Sequence, residues 1–231
     1  NYQGRYVNNT NTIPIQSFTY LNYQSELSTE LKRYSNLYAF AALKTDGSVV
    51  AWGDANRGGT APSGLTNVHS IYSSQYGFAV LKNDGSVVAW GRTWYDGGDI
   101  SAPSGLTNVR TIYSTENAFA ALKTDGTVVA WGNNGGDASS VQSQLTGVLT
   151  ISSTQGAFAA LKTDGTVVAW GISGYGGDAS SVQSQLTGVK TIYSNGGQNY
   201  GAFAALKTDG TVVAWGFSSF GGDASSVQSQ L

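Results

Sequence analysis

The chain of 231 residues contains no cysteine and no methionine, three prolines and one histidine, and only 11% of it is charged. Each shortage removes a class of protein. Without cysteine there are no disulfides and no thiolate metal sites, although that alone assigns no compartment. A single histidine, His69, rules out a histidine metal cluster and leaves a Ser-His-Asp arrangement with one candidate base. Twelve Lys and Arg against fourteen Asp and Glu give a net charge of −2 with no basic cluster, so binding to nucleic acid or anionic lipid is not expected. No apolar run approaches the ~20 residues of a spanning helix, and no membrane insertion is expected. Lacking even an initial methionine, the sequence reads as a processed or excised segment, which fits an extracellular or cell-surface protein with a removed leader.

What the chain does have is glycine, 31 residues of it, together with 12% aromatics. That profile belongs to turn-rich β structure with polar, uncharged surfaces. The dominant feature is repetition. FAALKTDGTVVAWG stands at 119–132 and returns unchanged at 158–171 and 203–216, with close variants at 40–53 and 78–91. Leu27, Leu65, Leu106, Leu145, Leu186 and Leu231 bound five units of 38, 41, 39, 41 and 45 residues. The extra residues of the last unit fall near 195–200. Units of this length and similarity stack into one body.

Within a unit, the Asp-Gly pairs (46–47, 84–85, 125–126, 164–165 and 209–210) are hairpin tips, because Asp tolerates and Gly readily adopts the backbone geometry of a tight turn. Whether the loop holds two residues, or three with a glycine bulge, is open from sequence. The flanking AFAALK and TVVAWG segments do not alternate between apolar and polar, so both faces of each hairpin require cover. Stacked units supply it, with the alanines leaving room for a neighbour's indole. Trp52, Trp90, Trp131, Trp170 and Trp215 are therefore expected as structural anchors, each burying ~150–250 Å², worth roughly 4–6 kcal/mol as an upper bound. VHSIYS (68–73), VRTIYS (109–114), VLTISS (148–153) and VKTIYS (189–194) supply a third strand. In GGDASSVQSQL, Asp137, Asp178 and Asp223 are placed to cap a short helical turn, with Gly147 and Gly188 past its end.

The order V-x-x-I-x-S, then A-L-K-T-D-G-x-V-x-x-W-G, then a glycine-rich turn, resembles the regulator of chromosome condensation repeat over about residues 28–231. The resemblance implies blades of a β-propeller, although family units are usually longer and well-known members close with seven blades. The expected fold is all-β: a propeller of about five blades over residues 23–231, with an open repeat array or a β-solenoid as alternatives. YQSEL (23–27) matches VQSQL (182–186), which makes 23–38 look like the remains of a preceding unit. Residues 1–22 share none of the pattern and form an N-terminal extended arm, suited either to lie on its own domain or to reach a neighbouring subunit. Asn8-Asn9-Thr10 is a glycosylation sequon.

Chemistry is sparse. Nearly all carboxylates belong to repeated turns; Glu26, Glu30 and Glu116 do not, and no motif surrounds them. The Gly-Gly-Asp triplets recur once per unit, too far apart for a calcium-binding nonapeptide array. No phosphate-binding loop is present. No catalytic residue, metal or cofactor is expected, and the nucleotide-exchange and chromatin roles of the resembled family find no inserted wedge and no basic face. Variation concentrates just after each Trp-Gly, where DANRGG, RTWYDGGD, NNGGD, ISGYGGD and FSSFGGD place Trp94, Tyr95, Tyr175, Phe217 and Phe220. Aromatics on uncharged loops are contact or sugar-stacking candidates. The expected function is that of a non-enzymatic structural or adhesive repeat protein that self-associates as a homo-oligomer or filament; the alternative is a multivalent, lectin-like binder of surface glycans.

Overall fold

A computed structural model describes residues 32–92, 100–197 and 200–230. The arm at 1–22, the sequon, the YQSEL segment, Glu26, Glu30, Trp94 and Tyr95 lie outside the described residues. Within them the chain is all-β, with fifteen strands in five three-stranded antiparallel sheets, each strand paired with its sequence neighbour. The first sheet holds β1 (Lys32–Ser35), β2 (Ala39–Leu43) and β3 (Val49–Gly53); the second β4 (Val68–Ser73), β5 (Gly77–Lys82) and β6 (Val87–Gly91). The third holds β7 (Val109–Ser114), β8 (Ala118–Lys123) and β9 (Val128–Gly132); the fourth β10 (Val148–Ser153), β11 (Ala157–Lys162) and β12 (Val167–Gly171). The fifth holds β13 (Val189–Gly197), β14 (Tyr200–Lys207) and β15 (Val212–Gly216). Lys32–Ser35 is thus the outer strand of the first blade and not a remnant of an earlier unit, because it pairs directly with β2 from Lys32↔Leu43 to Ser35↔Phe40.

Each Asp-Gly tip is a three-residue loop. Lys44 N–H donates to Ser48 O at 2.9 Å, Gly47 N–H donates to Lys44 O at 3.0 Å, and Gly47 stands at φ +77°. This glycine-bulge geometry sets the register Leu43↔Val49, Phe40↔Trp52. The Asp46 carboxylate stabilises the loop by accepting from Ser48 N–H at 2.9 Å and Ser48 Oγ–H at 2.6 Å, and the other four tips repeat the arrangement. The hydroxyl and the amide together hold each Asp below the usual carboxylate range.

The register places Phe and Trp on one face of a blade and the small residues, with Leu and Val, on the other. Ile112, Phe119, Ala121 and Trp131 of the third blade pack against Ala79, Leu81 and Ala89 of the second. Ala118, Ala120, Leu122 and Val128 on the far face receive Ile151, Phe158, Ala160 and Trp170 of the fourth. The same pairing joins the first blade to the second and the fourth to the fifth. A polar clip accompanies each contact: Val68, Val109, Val148 and Val189 donate their N–H to Gly47, Gly85, Gly126 and Gly165 of the preceding tip.

The Val-Gln-Ser-Gln linkers form 3₁₀ turns at Gln142–Gln144 and Gln183–Gln185. Asp137 and Asp178 do not cap them; each accepts from the N–H two residues on, Ser139 and Ser180, and closes the preceding bend. Leu145 and Leu186, directly after the turns, are fully buried between blades.

Among the described residues the blades do not close into a ring. Phe40, Val50 and Trp52 on the outer face of the first blade are 49%, 41% and 46% exposed, whereas Trp90, Trp131, Trp170 and Trp215 are buried. Trp52 departs from the expected anchor role because no described sheet precedes its own. At the far end Tyr193 is 61% exposed, and Ala204 and Leu206 are half-buried where Ala120 and Leu122 are fully covered.

Candidate interaction surface

In an antiparallel meander, the loop between the first and second strands and the segment after the third leave a sheet on the same edge. The unit-specific aromatics of these two segments therefore gather on one rim, opposite the Asp-Gly tips. A polar residue at or near the end of each first strand shapes this rim. Asn36 Oδ1 accepts from Tyr38 N–H and Ala39 N–H, both at 2.7 Å, while Asn36 Nδ2 donates to Arg57 O at 2.8 Å. Thr154 Oγ1 accepts from Ala157 N–H at 3.2 Å and donates to Tyr175 O at 2.8 Å. In the fifth blade Asn195 Oδ1 accepts from Ala202 N–H, and its Nδ2 donates to Phe220 O. One side chain thus ties two loops of the same rim.

Adjacent blades are joined there through backbone. Gln75 N–H donates to Glu116 O and Glu116 N–H donates to Gln155 O, each at 2.9 Å. Beside these bonds lies a cleft of about 670 Å³ lined by Asn36, Leu37, Gln75, Glu116, Thr154 and Gln155, among others. Gln155 Nε2 donates to the Glu116 carboxylate, which fixes the one acidic group of the lining. Gln75 Oε1 is buried with no partner. The lining is therefore rich in amide and hydroxyl groups, with a single carboxylate.

Two aromatic groups flank the cleft. On one side Tyr38 and Tyr76 stack with centroids 5.6 Å apart; the Arg57 guanidinium lies 3.9 Å over Tyr38, and that of Arg92 lies 5.3 Å from Tyr76. Arg57 is held in turn by Asp54 at 3.2 Å. On the other side Tyr200 stacks on Phe217 at 3.8 Å and meets Phe220 at 5.6 Å and Tyr175 at 6.4 Å. Burial raises the Tyr76 and Tyr175 hydroxyls above the usual phenol range, and the Glu116 carboxylate adds to both shifts.

Of the residues singled out in the sequence, Tyr175, Phe217 and Phe220 come together here; Trp94 and Tyr95 lie outside the described residues. Tyr38, Tyr76 and Tyr200 emerge only from the structure. The signal for Tyr38 and Tyr76 was nonetheless present: the position two before the repeat phenylalanine reads Tyr38, Tyr76, Asn117, Gly156 and Gly201, which varies as the post-Trp-Gly loops do. His69 sits elsewhere, exposed at the bulge between Val68 and Ser70, the position of Arg110 in the next blade. Among the described residues no three His, Asp or Glu side chains converge on a metal-sized site, and no helix is long and apolar enough to cross a membrane.

No family model matches the chain, and neither does any curated protein sequence. Solved structures do share its fold. Prp20p of Saccharomyces cerevisiae, the yeast RCC1, is 17% identical with a TM-score of 0.52, over 80% of this chain and 56% of that one. The CRINKLY WD40 ectodomain of the Arabidopsis thaliana receptor kinase ACR4 is 16% identical with a TM-score of 0.52, over 80% and 67%. The ectodomain of the Physcomitrella patens receptor kinase CR4 is 17% identical with a TM-score of 0.52, over 80% and 54%. The chain therefore spans about half to two thirds of the length of these neighbours. Its five blades have the propeller fold, and the RCC1 likeness read from the repeats has a counterpart at the level of fold.

Proposed function

We propose that this chain is a non-catalytic structural or adhesive repeat protein of the cell exterior, whose blades hold a recognition rim. The observation that carries this reading is the collection of unit-specific aromatics on one edge of an otherwise near-identical stack: Tyr38 and Tyr76 on one side of the cleft, and Tyr175, Tyr200, Phe217 and Phe220 on the other. The repeated residues supply most of the core packing, and the varied Tyr38, Tyr200 and Phe220 keep 38–39% of their surface exposed for contact. Exposed aromatic clusters bordered by polar groups are the usual composition of a recognition site. Prp20p binds Gsp1p and histones, and two neighbours are receptor ectodomains; recognition of a macromolecule is carried over from them, but not those partners.

A second reading, glycan binding, is favoured by the cleft itself. Planar amides and a carboxylate beside aromatic rings suit a saccharide, which stacks its apolar face and exchanges hydrogen bonds around its edge. One experiment separates the two. Beads coated with wild type, Tyr76→Ser or Tyr200→Ser are scored for adhesion to cell layers, with and without free sugars. Adhesion reduced at least ~10-fold by either substitution and indifferent to sugars supports the scaffold reading; loss of adhesion to sugars supports the glycan reading. Equal adhesion by all three proteins refutes both.

A further inference from the structure

We propose that the two ends of the stack are complementary halves of one interface, so that copies of this 231-residue chain join head to tail. The template lies inside the molecule. Four times, the Phe-Trp face of one blade covers the Ala-Leu-Val face of the blade before it. Each half of that contact is left over once. The first blade presents Phe40, Val50 and Trp52 to solvent, and the fifth presents Tyr193, Ala204 and Leu206. The repeats make the match specific: FAALKTDG at 203–210 is identical to the segments at 119–126 and 158–165, which already receive such a face internally.

Two finer details agree. Trp90 Nε1 and Trp215 Nε1 donate to the carbonyls of Gly58 and Gly176, at 2.9 and 3.0 Å, left-handed glycines that end a 3₁₀ turn of the preceding unit. A Cβ on either glycine would meet the next blade's phenylalanine, Phe78 at 2.8 Å or Phe203 at 2.7 Å. Gly221 is the fifth-blade member of this series, left-handed at φ 92° after Ser218–Phe220, yet the nearest atom on its open side is Asn195 Nδ2 at 3.7 Å. Among the described residues Trp52 Nε1 has no acceptor. A neighbouring copy would place Phe40 over Gly221 and the Trp52 indole N–H on its carbonyl. The tip at Gly210 is likewise open, whereas Gly47, Gly85, Gly126 and Gly165 each abut the following unit.

Such a contact is heterologous: every joined pair still carries one free end of each kind. Two copies bring more blades than the roughly four to eight of closed propellers, so growth continues into a linear assembly. This inference goes beyond the recognition rim and does not depend on what the rim binds.

The test is sedimentation of the full chain over a wide concentration range, with Trp52→Glu and Leu206→Glu. Both positions are partly exposed in the single chain, and circular dichroism checks that each variant is folded. The wild type is expected to assemble with increasing concentration, and either substitution to raise the midpoint at least ~30-fold, the loss typical of an interface hot spot. Mixing the two variants leaves one intact pair of ends and yields a 1:1 dimer that grows no further. Tyr76→Ser and Tyr200→Ser leave assembly unchanged, so failure of the rim reading is seen separately. A wild type that stays monomeric overturns the proposal and assigns the end faces to another occupant, the arm or further units of a longer chain. Assembly indifferent to both substitutions, or a mixture that forms no dimer, overturns it equally.

Discussion

Replacing a tryptophan by alanine should cost about twice as much inside the stack as at its open end. Trp131 is 6% exposed, stacks on Phe119 at 5.4 Å and donates to Ile100 O at 2.8 Å. A side chain of this size buries ~200 Å², worth about 5 kcal/mol at ~25 cal/mol per Å², and measured Trp→Ala losses in cores run at about 3–5 kcal/mol. The stranded Ile100 carbonyl pushes the expectation towards the upper end, about 4–5 kcal/mol. Trp52 makes the same stacking contact with Phe40 at 5.4 Å but is 46% exposed and, among the described residues, has no hydrogen bond to lose. Half the buried area gives about 2.5 kcal/mol. The assay is urea unfolding of Trp131→Ala and Trp52→Ala at concentrations low enough to keep copies apart, followed by circular dichroism and compared at unchanged slope. Equal losses at the two positions, or a larger one at Trp52, would refute the packing argument.

Other outcomes follow from particular contacts. Trp131→Phe should be the more destabilising by about 1 kcal/mol relative to Trp170→Phe, because Trp170 Nε1 is buried without an acceptor and removing it strands no partner; urea midpoints decide it. Gly176→Ala should destabilise more than Gly221→Ala in the single chain, since both are left-handed but only the first drives a Cβ into a phenylalanine ring, at 2.7 Å. Thermal unfolding of the two variants ranks them, and equal melting temperatures would contradict the contact. The Asp125 carboxyl is held low first by the Thr127 hydroxyl and then by the Thr127 N–H. A folded pKa below the unfolded value of about 3.9 means that this stabilisation is present above the unfolded value and is lost as pH falls through the folded one. Thr127→Val should therefore move Asp125 up towards the ordinary range in a carboxyl-detected NMR titration; an unmoved titration would show that the hydroxyl is not the cause.

Much of this architecture was legible because the chain repeats it. One unit with two apolar hairpin faces is ambiguous; five in register leave stacking as the consistent solution, and the Asp-Gly tips, the third strands and the alanine recesses for a neighbour's indole all stand where the pattern puts them. The hairpin loop length was not legible, because a two-residue and a three-residue loop use the same Asp-Gly pair and differ only in where the glycine bonds. Lys32–Ser35 escaped notice since KRYS lacks the valine and isoleucine of its counterparts, and its pairing with β2 is what defines it. Ring closure was equally hidden: whether Trp52 is covered depends on a surface far away in sequence. At the rim, Tyr175, Phe217 and Phe220 could be singled out by varying where neighbours did not. Tyr200 was disguised by the lengthened loop, and its stacking on Phe217 is a tertiary fact.

The central claim, a stack of equivalent blades with one uncovered indole face, is best tested by fluorine NMR of protein carrying 5-fluorotryptophan, assigned by single Trp→Phe substitutions and measured in light and heavy water. Trp90, Trp131, Trp170 and Trp215 should show no solvent isotope shift and Trp52 a clear one in the dilute chain. A shielded Trp52 under those conditions, or solvent access at two or more of the other four, would contradict it.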